Sequence, residues 1–251
     1  MRSLKWHELG QTREEIAQAF WRLSGLPETY PRDIFTACIW TLPAGIIWVP
    51  GLTGSTVAAH FPSGRHAGLL EQYAVSPLYG CLVASRGAAI IFIEKNLPKE
   101  EASFTIAHEI SHFLVDYLIP RDRALSKMGE RIRPVLDGER PPDLEERVDA
   151  LLCGIPLGAY VNATPGGPRL FSEDSADMLA LELLAPANRV LQEVPEKRVL
   201  VSRYGLPPDV AGWYADYIKT RSAPGGRYGG FREWLEGPSS VNQRGGRGEG
   251  A

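Results

Sequence analysis

The sequence predicts an α+β fold, mostly helical, with a small and mainly antiparallel sheet packed on one long helix. Two observations carry this. Capped stretches of helical period recur along the chain, at 13–24, 98–117, 144–153 and 172–185. Between the second helix of the chain and the long one lie short apolar runs, of which Cys81–Ala84 and Ala88–Glu94 flank an Arg86-Gly87 turn in the manner of a hairpin.

Each element has a local cause. Thr12 and Glu15 form a capping box for a helix over 13–24 that Gly25 closes. Pro31 opens a second helix through Trp40, followed by a short buried strand over Gly45–Val49 ended by Pro50-Gly51. Residues 51–79 are punctuated by Gly, Ser and Pro and allow one strand near Leu69–Ala74. Pro98 suits a first helical position, and Glu100 and Glu101 favour the positive end of the dipole, so a helix runs from there to Tyr117, before Pro120 stops it. Residues 119–142 are charged and Pro-rich, and 144–153 form a helix with Leu151 and Leu152 as its core edge. A helix over 172–185 ends at Pro186, and two shorter ones, 196–204 and 208–219, close the folded part.

The 251 residues therefore divide into a domain over 1–221, with a stretch of about 119–170 inserted in it, and a tail over 222–251. That tail holds nine of the 26 glycines, too little apolar surface to fold alone. Phe231, Trp234 and Leu235 are the side chains in it that could dock.

Composition narrows the function. The 27 basic and 30 acidic residues leave a net charge of −3, which disfavours a dedicated nucleic-acid binder. Three scattered cysteines, Cys38, Cys81 and Cys153, exclude a disulfide scaffold or a four-cysteine zinc site. With no apolar leader and no membrane-length run, the expected location is the cytoplasm and no membrane partner is expected.

The chemistry lies on two helices. His108-Glu109-Ile110-Ser111-His112 is an HExxH motif, which puts both imidazoles on one helix face, ready to close on one cation. Glu109, about 100° round the helix, can reach a water held there without occupying a coordination position. A further histidine six residues after His112 would mark a metzincin, but Leu118 stands there; His7, His60 and His66 have no recommending spacing. Downstream, Glu173, Ala176, Asp177 and Ala180 share one helix face. Alanines there let the helix approach its partner closely, so that Glu173 supplies the third ligand and Asp177 accepts the free N–H of a ligand histidine. Asp174 is the fallback ligand. An oxyanion donor is sought among Tyr117, Tyr160, Arg189 and Tyr204.

Together these stretches resemble the ImmA/IrrE metallopeptidases of bacteria and their phages. The resemblance spans roughly residues 10–218 and is carried by Asn96-Leu97-Pro98 leading into HExxH, then by Glu173-x-x-Ala176-Asp177 ending in Leu183-Leu184-Ala185-Pro186. It implies a zincin-like domain and a metallo-endopeptidase that cuts helix-turn-helix repressors. Zinc, or manganese, is then bound by His108, His112 and Glu173, with Glu109 as catalytic base. Glu173 follows His112 by 61 positions, more than is usual in that family. There is also no recognisable N-terminal DNA-binding module. Rival readings are a DNA-binding regulator using 196–219 as a helix-turn-helix, its metal structural, and a catalytically idle partner-binding protein. The intact Glu109 speaks against the latter.

Overall fold

The structure is a computed structural model that describes residues 6–8, 12–61, 74–155, 157, 173–193 and 195–222. The strand expected near Leu69–Ala74 and the tail beyond Ser222 lie outside the described residues, apart from Ala74.

Helix α1 (Arg13–Ser24) has the expected Thr12/Glu15 capping box and ends on Gly25 at φ 65°. Asp33 caps α2 (Ile34–Thr41), which begins three residues after Pro31 because the Asp33 side chain accepts from Thr36 N–H. Strand β1 (Ala44–Val49) leads to the short helix α3 (Gly54–Ala58), and β2 (Gly80–Ser85) and β3 (Ala88–Glu94) follow. The sheet has the order β1-β3-β2. β2 pairs antiparallel to β3 through Cys81↔Phe92 and Val83↔Ile90, as expected of the hairpin. β1, however, pairs parallel to β3, with Ile46 opposite Ile91, so the sheet is mixed rather than mainly antiparallel. A parallel partner needs a long crossover, here the whole stretch containing α3 and β2, and no local turn signal announces it. β1 is also half-exposed at a sheet edge rather than a buried strand, and Trp48 is 40% exposed.

β3 is the central strand and is apolar on both faces. Ala89, Ile91 and Ile93 join the main core with α1, α2 and the later helices, whereas Phe92 packs with Val49, Leu52 and Val57 under α3.

After Pro98 the chain enters α4 (Lys99–His112), a π-turn over Phe113–Leu118, and then α5 (Ile119–Met128). These join without a break, since Phe113 and Ile119 both have right-handed helical dihedrals. Pro120 therefore does not stop the helix. The π-turn bonds Ile119 N–H to Leu114 O, five residues back, and Pro120 falls in the first turn of α5, where a missing N–H is tolerated. A 3-10 turn (Glu130–Ile132), α6 (Arg133–Leu136) and α7 (Leu144–Leu152) follow. They build a second core from Ala124, Met128, Ile132, Val135, Leu136, Ala150, Ile155 and Leu157.

In α7 the side buried is not the expected one: Leu151 and Leu152 are about 80% exposed, whereas Glu146 and Ala150 are buried. Glu146 holds this face inward because it receives both Arg140 Nη groups and caps Asp143 N–H.

Helix α8 (Glu173–Leu184) packs along α4. Then come α9 (Ala187–Gln192), α10 (Lys197–Ser202) and α11 (Pro208–Ser222). Val210, Ala211, Trp213, Tyr214 and Ala215 of α11 are buried, and Tyr214 OH donates to Ala185 O at the end of α8. Asp209, Asp216 and Lys219 are exposed on α11, and Lys197, Arg198 and Arg203 are exposed on and just after α10. No helix among the described residues is long and apolar enough to cross a membrane. Cys38, Cys81 and Cys153 are free thiols.

Candidate metal centre

α4 buries Ile106, Ala107 and Ile110 in the main core and turns the opposite side toward α8. The fully buried Ala176 and Ala180 occur on α8, small enough for close packing. This juxtaposition brings together three donors from a chain separation of more than sixty residues. His108 Nε2 lies 3.1 Å from His112 Nε2, 3.4 Å from Glu173 Oε2, and His112 Nε2 lies 3.8 Å from the same oxygen. Four-coordinate zinc with bonds near 2.0–2.1 Å separates its ligand atoms by about 3.3 Å. The triangle has that size. His108, His112 and Glu173 are the metal-competent cluster found among the described residues. Asp174, the fallback ligand, is not in it, and its Oδ1 is buried with no hydrogen-bond partner.

The hydrogen bonds behind the rings fix which nitrogen of each faces inward. Nδ1 of His108 is 2.7 Å from Asp177 Oδ1, and Nδ1 of His112 is 2.6 Å from Asp116 Oδ2. An ionised carboxylate only accepts, so each Nδ1 carries its ring's proton and each Nε2 presents a lone pair. Two lone pairs and a carboxylate oxygen then converge on one point. A proton on one Nε2 would satisfy one side of this triangle, whereas a divalent cation satisfies all three. The donor set of two imidazoles and a carboxylate suits zinc and leaves a fourth position open.

Asp116 was not among the residues expected from the sequence. It follows His112 by four residues, the spacing that joins His108 to His112, so helical period alone could have singled it out. It sits inside the π-turn, the kind of local widening often found at functional sites. Its Oδ1 is buried without a hydrogen-bond partner.

Glu109 lies on the side of α4 that faces the start of β2. A Cβ built on Gly80 would stand 2.8 Å from Glu109 Oε1 and 2.6 Å from Thr105 Cγ2. The neighbouring Cys81 thiol is pushed up to about 12, first by burial and then by the Glu109 charge.

Three of the residues weighed as oxyanion donors have other partners. Tyr117 OH accepts Gly87 N–H at the β2–β3 turn, Arg189 is bidentate on Glu28, and Tyr204 packs edge-on against Tyr30. Tyr160 lies outside the described residues, as does His66. His60 bonds Thr56 O through Nδ1 and stacks on Phe92, and His7 lies 3.7 Å from Glu8, both away from the cluster.

The sequence profile of the IrrE N-terminal-like domain, of the M78 peptidases, matches residues 70–133. The match spans about a quarter of the chain. The match covers β2, β3, the HExxH motif with Glu109, the π-turn and α5, and it ends before α8. No curated protein and no solved structure matches the chain.

Proposed function

We propose that this chain is a zinc-dependent endopeptidase of zincin-like architecture. In this reading His108, His112 and Glu173 hold the metal, for which manganese is a second candidate, and Glu109 is the catalytic base. The observation that carries it is the convergence of two Nε2 lone pairs and Glu173 Oε2 within 3.1–3.8 Å.

The bound cation would supply Lewis acidity toward the scissile carbonyl and the attacking water. Everything else falls to the chain. Glu109 takes a proton from that water and delivers it to the departing amine. Asp177 and Asp116 accept the Nδ1 protons of His108 and His112, which fixes each ring's tautomer and aim. β2 is a terminal strand of the described sheet, with its Gly80 end against Glu109. An extended peptide laid along such a strand gains backbone hydrogen bonds independent of its side chains.

The substrate we propose is one regulatory protein, of the helix-turn-helix repressor type, cut in the cytoplasm. The ImmA/IrrE resemblance supports the substrate class, and the free thiols fit a reducing compartment. The test is to incubate the zinc-loaded protein with repressor-like proteins encoded beside its gene, and in parallel with casein. One discrete fragment from a repressor is expected, and Glu109→Gln should abolish it while retaining zinc. Ready digestion of casein with every repressor intact would replace the regulatory reading with a general peptidase. No cleavage of either would remove the peptidase reading.

A further inference from the structure

Gly80 has ordinary backbone dihedrals for a strand, so conformational freedom does not explain a glycine there. Space does. β2 comes so close to α4 that a methyl group at residue 80 would lie 2.6 Å from Thr105 Cγ2, 2.8 Å from Glu109 Oε1 and 3.2 Å from Glu109 Cγ. Contacts below about 3 Å between such atoms are forbidden, so one side must move.

Thr105 cannot give way easily. It is buried, its χ1 is restricted by β-branching, and its hydroxyl donates to Glu101 O at 2.8 Å, which keeps Cγ2 turned toward β2. Glu109 can give way, because its carboxylate is the end of a flexible side chain. The group most readily displaced by a methyl at position 80 is therefore the carboxylate that the proposed chemistry needs. His108 and His112 have no such dependence on β2: their rings are held by Asp177 on α8 and by Asp116 in the π-turn.

We infer that Gly80 is a positioning residue for Glu109: the missing side chain is the seat in which the carboxylate rests, and it sets the aim of the base independently of the metal ligands. This rests on the peptidase reading, in which Glu109 is the base. It makes a residue of the sheet, twenty-nine positions away in the chain, responsible for the direction of a helical side chain.

The experiment compares the full-length zinc-loaded wild type with Gly80→Ala, Thr105→Ser and the double variant Gly80→Ala/Thr105→Ser. Thr105→Ser keeps the hydroxyl and removes Cγ2, so the double variant relieves the clash with the helix and leaves the clash with Glu109. Activity is read on the cleaved repressor, or on casein if no repressor is cut. Zinc content should match the wild type in all variants. Gly80→Ala should lose both stability and turnover. The double variant should melt close to Thr105→Ser yet stay about 100-fold lower in kcat, with KM changed less than about 3-fold, as expected when a general base is misaimed by about 1 Å. A crystal structure of the double variant should show the Glu109 carboxylate displaced with His108 and His112 in place.

Wild-type kcat in the double variant would overturn the inference and leave Gly80 as a packing residue of the α4–β2 contact. Loss of zinc in the double variant would overturn it too, because the strand would then be holding the ligands. If the wild type cleaves neither substrate, the peptidase reading falls. The crystal comparison then decides Gly80 alone: an unmoved carboxylate overturns its role as the seat.

Discussion

The two helices that meet at the candidate metal centre are built on different principles. The long helix α4–α5 carries His108, Glu109, His112 and Asp116 within nine residues, and one of its own carboxylates orients one of its own imidazoles. Half of the site is thus local, set by helical period. α8 brings Glu173 and Asp177 from a distant part of the chain, and both are useful only if α8 docks. The first helix holds a pair of imidazoles that persists wherever the helix forms. The second completes it, so the three-donor cluster exists only in the folded protein, and metal affinity should report on docking as much as on chemistry.

The largest expected effect tests whether α8 supplies a ligand. Glu173→Ala should lose most of the zinc affinity, measured by competition with a chromogenic chelator, whereas Asp174→Ala should stay near wild type. The opposite ranking would move the ligand to Asp174. A smaller effect tests docking without touching a ligand. Ala180 is fully buried beside α4, and Ala180→Leu overfills that contact at about 1–3 kcal/mol. Zinc affinity should fall in this variant although all three donors remain. Unchanged affinity would mean that the alanine face is not what brings Glu173 to the histidines.

A third comparison sets the two supporting carboxylates against each other. Asp177→Asn and Asp116→Asn should each weaken zinc binding by about 10–100-fold, the usual range for partners of ligand histidines. Asp177 should be the more damaging, since its side chain is 8% exposed against 20% for Asp116 and it also bridges α8 to α4. Equal losses would show that burial at this site does not discriminate between a partner within the helix and one across the interface.

The same division governs what was legible in the sequence. The Thr12/Glu15 cap, the Cys81–Ala84 and Ala88–Glu94 strands and the pairing of His108 with His112 follow from spacings of two to four residues, and the structure has them. The face shared by Glu173, Ala176, Asp177 and Ala180 was legible for the same reason. Asp116 has equally local spacing, but the ligand pattern that follows HExxH looks for a histidine at position 118, where Leu118 stands, and does not single out a carboxylate at 116. Three features needed information that no window contains. The parallel pairing of β1 depends on a crossover, the run of helix through Pro120 depends on a π-turn, and Gly80 gains its meaning only from the distance between β2 and α4. In α7 Leu151 and Leu152 suggested the core edge, but the structure exposes them because an ion pair fixes the opposite face inward.

That ion pair gives the smallest effect, in the stretch that links the two helices. Arg140 donates to both carboxylate oxygens of Glu146, at 2.7 and 2.6 Å, and holds this carboxyl well below its ordinary 4.5, at about 2. A carboxyl depressed on folding stabilises the folded state at pH values above its unfolded pKa. That contribution is lost as pH falls through the folded value, so the window runs from about 4.5 down to about 2. Arg140→Met should therefore lower the melting temperature by about 2–4 °C at pH 7. Part of the pair is open to solvent, with Arg140 40% exposed, which keeps the effect modest. The gap between variant and wild type should narrow as melting is followed below pH 4.5, and it should close near pH 2. Because Glu146 also caps α7, Glu146→Gln in the same series should destabilise at every pH and show little of this narrowing. A gap independent of pH in Arg140→Met would mean that the arginine acts through packing rather than charge. Zinc affinity should not follow either change. If it does, the stretch between the helices helps to set the docking of α8, and the division between a local and a tertiary half of the site would have to include α7.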